Sequence, residues 1–579
     1  MKNIRMGTVF FVTMLLVAGA MTTAASGAPD SAPLDAAAES AIIIDHTSTD
    51  ITAIPQAWIE AAKSTLHIGY GHTSHGSQLT DGMSGLVGFA NGGGKGLALP
   101  ADIFAWNNGG TGGALDLHDG AMGGDVGYYP DWVNNTRSYL GAPDPVTGRG
   151  ASQPDVNVII WSWCGQASGR TEETMLSTYL LPMTQLELEY PGVTFVYMTG
   201  HSDGTGESGN LHLRNQQIRE YAIQNNKVLY DFYNIELYDP DGNYYGDKVV
   251  NDNCDYDSDG NGSRDRNWAT EWQSTHTEGV DWYSCSCAHS QSLNCNQKAY
   301  AAWWLWARIA GWDGVTGGRP ESDQTGNWTT PETWVGDVVP SVSDAVTITA
   351  GTAVTVDVDV QCQRLAIEHG ATLIIPSGVT LTVADSVDNQ GTMQQTRTVD
   401  NDAVAFLQID GPDGFARYRG VEIDTPNDLG AVTVSVRALG AGEYCTSTGA
   451  GSPAYARRCF EIEATNTAAA TVRLWALADE MNGIADPRVF RYVAPGWVVL
   501  STNAATGTLG AYAYAEADTP GFSHFLIGWS GAPTAVDQRG FGVRAIGHER
   551  WLLLLAVVVA LVGVAVGVRK LWRRLGGIE

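Results

Sequence analysis

Four short apolar runs, "TLHIGYGH", "VNVIIWSW", "VTFVYMTG" and "KVLYDFYNIE", recur between residues 41 and 316. Stretches with helical spacing stand among them: "EETMLSTYLLPMTQLELEY", "NLHLRNQQIREYAIQNN" and "NQKAYAAWWLWARIAGW". Near-continuous apolar strands joined by helical crossovers predict a parallel sheet covered on both faces, an α/β head. After "GVTGGRPESDQTG" the helical period disappears. Residues 320–396 repeat short β-branched runs, as in "AVTITAGTAVTVDVDV" and "RLAIEHGATLIIPSGVTLTV", separated by polar turns. That pattern predicts a small β-solenoid, and a β-sandwich gives the same signal at this length. Residues 397–530 carry longer, glycine-rich strand runs consistent with a β-sandwich, and residues 531–550 read as a linker. The expected plan is an α/β head on an all-β stalk.

The two ends follow other rules. Lys2 and Arg5 precede an apolar stretch from Met6 to Met21, and "TTAASGAPD" follows, so residues 1–28 read as a secretory signal peptide. Trp551 to Val568 is an uncharged apolar run followed by the basic tail of residues 569–579, which begins "RKLWRR". A helix of that length just spans a hydrocarbon core of about 30 Å, and its basic flank should stay in the cytoplasm. The body is expected to be exported, at the cell surface or the periplasmic face, tethered by this transmembrane helix.

A net charge of −30 argues against a nucleic-acid partner, because phosphate binding needs clustered Lys and Arg. Export also bears on the eight cysteines, which can pair in an oxidising compartment. Cys254, Cys285, Cys287 and Cys295 crowd one region, and Cys445 with Cys459 could close a hairpin. The spacing C-x-C-x7-C lacks the paired C-x2-C knuckles of a zinc site.

Each head strand runs into a polar, glycine-bearing segment: "GHTSHGSQ", "WCGQASG", "GHSDGTG" and "NIELYDPDG". In an open parallel sheet these segments share the carboxyl-end edge, where ligands bind. Nucleophilic catalysis needs a hydroxyl near a base and donors for an oxyanion. Ser74 lies on the first strand-to-helix turn, with Ser77 as the competing hydroxyl at the start of the next helix. Gly165 follows the second strand, His201 and Ser202 the third, and His289 precedes the last helix.

This order of parts resembles the SGNH (GDSL-type) hydrolase superfamily over residues 41–316. The resemblance implies a three-layer α/β fold and metal-free hydrolysis of an ester or acyl group on a small molecule, glycan or lipid. By position, Ser74 would be the nucleophile, Gly165 and Ser202 the oxyanion site and His289 the base. Thr73 replaces the family's Asp, Ser202 its Asn, and Ser286 the acid three residues before the His. Asp281 is the nearest upstream carboxylate. Two other classes fit the same residues. His72, His75, His201, Asp203 and His289 could ligate a hydrolytic metal, and the head could be a non-catalytic surface-binding module.

"DNCDYDSDGNGSRDRNW" spaces Asp255, Asp257, Asp259 and Asn261 two apart, with Gly260 turning the chain. That is the first half of a calcium loop, in which alternate oxygens converge on one hard cation. Arg266 occupies the twelfth position, so Asp265 or a distant carboxylate must complete it. Asp239, Asp241 and Asn243 form a second acidic turn that could share a structural calcium. Trp303, Trp304, Trp306 and Trp312 lie at helical spacing, which predicts core rather than a carbohydrate platform.

On fractionation the intact chain should remain with membranes, and deletion of residues 551–579 should release it. A soluble product that retains those residues would refute the anchor.

Overall fold

Strands that are apolar on both faces need cover on both, and the head provides it. In a computed structural model, which describes residues 41–529 apart from 441–442, 447–454, 479, 482–483 and 485, seven head strands form one sheet. They are β1 (Ile42–Ile44), β2 (His67–Gly71), β3 (Trp106–Asn107), β4 (Leu115–Met122), β5 (Val158–Trp161), β6 (Thr194–Met198) and β7 (Val228–Tyr230). Their order is β1-β7-β6-β5-β2-β4-β3, and every neighbouring pair is parallel. The expected signal peptide, the linker at 531–550, the membrane helix and the basic tail lie outside the described residues. Among the described residues no helix is long and apolar enough to cross a membrane.

The head helices are α1 (Gln56–Thr65), α2 (Ser77–Asn91), α3 (Asp131–Leu140), α4 (Glu172–Met175), α5 (Leu181–Glu189), α6 (Asn210–Gln224), α7 (Phe232–Glu236), α8 (Trp268–Thr275) and α9 (Ser292–Ile309). Strand side chains alternate between faces, and two cores result. Ile68, Val158 and Ile160 pack with Ile59 of α1, Leu79 and Met83 of α2, and Trp303 and Trp306 of α9. Ile159, Trp161 and Phe195 pack on the other face with Trp132 of α3, Met183 of α5 and Ile218 of α6. Trp304 and Trp312 are also buried, so the tryptophan-rich helix is core.

The chain leaves β2 for β3 and β4 on one side and then crosses to β5 on the other. The carboxyl ends of β2 and β5 therefore flank a topological switch point, the place where open α/β sheets form a crevice. Close approach there demands glycine at Gly71, whose added Cβ would stand 2.5 Å from the Trp161 ring.

The β-rich half begins with two parallel ladders. One runs through Ala345–Ile348, Val360–Ile367 and Leu381–Asn389. The other runs through Gly326–Asn327, Ala353–Thr355, Thr372–Ile375 and Thr392–Asp400. The last of these strands crosses the expected boundary at 396/397, pairing antiparallel with Asp428–Ala438 on its free side. One core of buried residues consequently serves both stretches, from Trp328 to Ile527. Cys445–Cys459 and Cys287–Cys295 are disulfides, which fits an extracellular location.

Buried charges join the head to the β-rich half. Arg219 of α6 pairs with Asp45 at 2.7 Å, with Asp231, and with Asp413 at 3.0 Å. Arg308 of α9 reaches Asp385 at 3.4 Å, and Arg364 pairs with the same carboxylate.

Candidate functional site

Five segments meet at the carboxyl edge. From β2 the chain enters a single tight turn at Ser74–Gly76 before α2. A Cβ on Gly76 would overlap the His72 Cβ and the Ser162 hydroxyl, so only glycine lets this turn sit against the β5 exit. The turn buries His75 and leaves Ser74 exposed.

His75 is the centre of the cluster. Its ring stacks on His201 at 3.7 Å between centroids and 3° between planes, and on His289 at 4.3 Å and 17°. Its Nε2 lies 3.1 Å from Asp252 Oδ2 and its Nδ1 3.4 Å from Cys164 Sγ. Burial draws the His75 pKa below its ordinary value, and the two neighbouring imidazoles add to that against the pull of Asp252. Burial would raise the Asp252 carboxyl, but the His75 bond and the imidazole charges hold it low. The Ser74 hydroxyl stands 4.0 Å from Cys164 Sγ.

A buried network holds these loops. Glu236, at the end of α7, accepts from the Ser202 amide at 2.6 Å and from its hydroxyl at 2.9 Å. Its other oxygen accepts from Lys298 Nζ at 2.6 Å. Lys298 also donates to the Gln78 carbonyl oxygen, and the Gln78 amide donates to the backbone carbonyl of Ala288, next to His289. Both members of the ion pair are fully buried. Burial lowers the Lys298 ammonium pKa, and Glu236 opposes that pull.

The residues expected from sequence are thus distributed unevenly. Ser74, His201 and His289 come to one edge, and exposed Gly165 opens the turn after β5. His289 has a φ of +65°, an uncommon backbone state for a non-glycine residue, and among the described residues no hydrogen bond joins it to Ser74. Ser202, expected at the oxyanion, spends both its donors on Glu236. Asp281 accepts from the Thr277 amide within its own turn.

Of the histidine metal set, His75 and His201 converge. His72 is engaged at Nε2 by Asp119 at 2.6 Å and at Nδ1 by the Thr73 carbonyl. Burial would lower its pKa, but those two partners outweigh burial and raise it. Asp203 accepts from the Thr205 amide and hydroxyl. Asp252 takes its place: among the described residues, His75, His201 and Asp252 are the one group of three His, Cys, Asp or Glu side chains whose ligand-type atoms all lie within 4.8 Å of one another.

The acidic turns are folded on their own amides. Asp257 accepts from the N–H groups of Gly262, Gly260, Asn261 and Asp259, which hold its pKa low. Asp259 accepts from the Asn261 amide, and Asp265 from the Ser258 amide and hydroxyl. Asp255 accepts from the side chains of Asn253 and Asn267, Asp239 from the Asp241 and Asn243 amides, and Asp241 from the Trp272 indole.

The chain matches no protein-family model, no curated protein and no solved structure. What the site can do rests on its geometry. Cys164, Asp252, Glu236 and Lys298 were absent from the sequence-based assignments. Only Cys164 carried a signal, as a thiol directly after a strand at the ligand edge.

Replacing Lys298 by Met leaves Glu236 buried and uncompensated, a change that typically costs about 3–5 kcal/mol. The expected result is a clear drop in the urea midpoint of the head. An unchanged midpoint would show that Glu236 finds water or another partner.

Proposed function

We propose that the α/β head is an exported hydrolase of ester or acyl bonds, anchored to the membrane by its C-terminal segment. The observation that carries this reading is the exposed Ser74 hydroxyl at the switch-point crevice, next to an imidazole stack and an anchored carboxylate. Its order of parts resembles that of the three-layer SGNH-like hydrolases, with Thr73, Ser202 and Ser286 departing from their motifs. Catalytic hydrogen bonds are often long before substrate arrives.

In the proposed reaction Ser74 Oγ attacks the acyl carbonyl, and His289 takes its proton. The oxyanion is received by the Gly165 amide, while Ser202 positions His201 through Glu236. The carbon–oxygen bond to the alcohol then breaks, and His289 delivers the proton to that leaving group. Water attacks the resulting acyl-serine by the same route and restores the hydroxyl. The negative overall charge favours a neutral or cationic ester, on a small molecule, glycan or lipid, over a polyanion.

One distance favours a second nucleophile. Cys164 Sγ, not Ser74 Oγ, is within hydrogen-bonding reach of an imidazole, that of His75, whose other nitrogen is held by Asp252. A Cys–His–carboxylate arrangement supports the same acyl transfer.

The two are separated by measuring hydrolysis of short acyl esters by the full chain and by Ser74→Ala and Cys164→Ala. Ser74→Ala should lower kcat/KM by roughly 10³-fold or more, and Cys164→Ala by far less. The reverse pattern transfers the attack to Cys164. If the wild-type chain neither hydrolyses acyl esters nor labels with serine- or thiol-reactive acyl probes, the hydrolase reading fails and the binding-module reading takes its place.

We also propose structural calcium at the acidic turns, on the spacing of Asp255, Asp257, Asp259, Asn261 and Asp265 and the nearby Asp239 and Asp241. Calcium at about 100 times its dissociation constant should add about 2.7 kcal/mol to the stability of the folded head. Calorimetry should show a higher transition with calcium than with chelator; coincident transitions would count against the site.

A further inference from the structure

We propose that His75, His201 and Asp252 form a binding site for one divalent cation of the zinc class. The site is built from three separate segments: the β2 exit, the β6 exit and the loop leading to Cys254. Its side chains are the nitrogen and oxygen donors that zinc takes, and three protein ligands leave a position open for water or substrate.

Two observations orient the donors. His201 Nδ1 lies 2.9 Å from the Ser202 carbonyl oxygen, which can only accept, so Nδ1 carries the proton and Nε2 presents a lone pair. A backbone carbonyl holding the far nitrogen is the usual support of a metal-bound histidine. The second observation is a spacing. Two ligand atoms at ~2.0–2.1 Å from one tetrahedral ion stand roughly 3.3 Å apart, and His75 Nε2 lies 3.1 Å from Asp252 Oδ2. With the ion at Nε2, the His75 Nδ1 proton points to Cys164 Sγ, its present neighbour.

Stacking sets the one adjustment needed. The His75 and His201 rings are nearly parallel, so their lone pairs lie in parallel planes, and ligation must tilt the rings toward a common point. His201 is half-buried, and the Ser202 contacts with Glu236 keep its backbone in place. The catalytic consequence rests on the hydrolase reading. An ion here lies in the same crevice as Ser74 and would polarise the ester carbonyl, a duty for which Ser202 has no free donor.

The test is metal binding, read independently of turnover. Full-length protein stripped with chelator and dialysed is titrated with zinc by calorimetry and with cobalt by visible absorption. One ion per chain should bind, with a tetrahedral cobalt spectrum. Asp252→Asn and His201→Ala should each weaken binding at least about tenfold, and Asp203→Asn should leave it unchanged. Thermal unfolding is recorded for each variant, and the near-isosteric Asp252→Asn decides the matter if His201→Ala does not fold. Absence of stoichiometric binding to the wild type, or wild-type affinity in a folded Asp252→Asn, overturns the site. Ester hydrolysis that persists in stripped protein leaves the hydrolase reading standing, whereas metal binding with no hydrolysis under any condition leaves the metal site standing without it.

Discussion

A carboxylate and an ammonium buried together at the heart of a domain tolerate little misplacement, and the geometry of the carboxyl edge depends on one such pair, Glu236 and Lys298. Taking each charge out of water costs several kcal/mol, which is recovered only if every remaining lone pair and proton is bonded. Glu236 meets that requirement through the Ser202 amide and hydroxyl, and Lys298 through Gln78 and the face of the Phe232 ring, 3.5 Å from its Nζ. Those secondary bonds reach the β6 exit and the start of α2, and through Gln78 the residue before His289. A pair of this kind adds little net stability compared with apolar side chains of the same size. Its effect is positional, since loops that would otherwise be independent share one set of hydrogen bonds.

The imidazole stack follows from that positioning. His201 is fixed by Ser202 behind it, and His289 by the carbonyl that Gln78 holds. His75 fills the space between them from a turn that only Gly76 can close. Three aromatic rings face to face exclude water from their shared surfaces, so the central ring loses solvation and its polar atoms must find protein partners. Asp252 and Cys164 are those partners. An imidazole, a carboxylate and a thiol are brought together because Asp252 and Cys164 satisfy the ring nitrogens that the packing has desolvated.

The β-rich half rests on a different constraint. A parallel ladder cannot end with an exposed strand edge without inviting association, and Thr392–Asp400 resolves this by taking an antiparallel partner on its free side. Sheet and core therefore continue through a point where the composition changes. The head is joined to this half through Arg219 and Arg308, whose carboxylate partners Asp413 and Asp385 lie nearly two hundred and nearly eighty residues away.

The periodic features of the chain were legible in its sequence. A head strand such as "VNVIIWSW" is buried on both faces and so reads as continuously apolar, and the tryptophan helix repeats at the spacing that buries it. The gathering of polar loops at one edge followed from parallel topology alone, and it placed Ser74 and His201 on that edge without reference to any contact, whereas His289, which follows no strand, was assigned from its place before the last helix. The partners of those residues were not legible. Asp252 stands 177 residues from His75 and sits among acidic residues whose spacing suggests a cation turn, while Lys298 lies within an apolar helix and Glu236 at the close of a short one. Local pattern records which face of an element is buried, because burial repeats with the backbone. It does not record which distant polar group meets a given side chain, because that is decided only when the sheet order and the desolvation of each loop leave a single way to satisfy every buried charge.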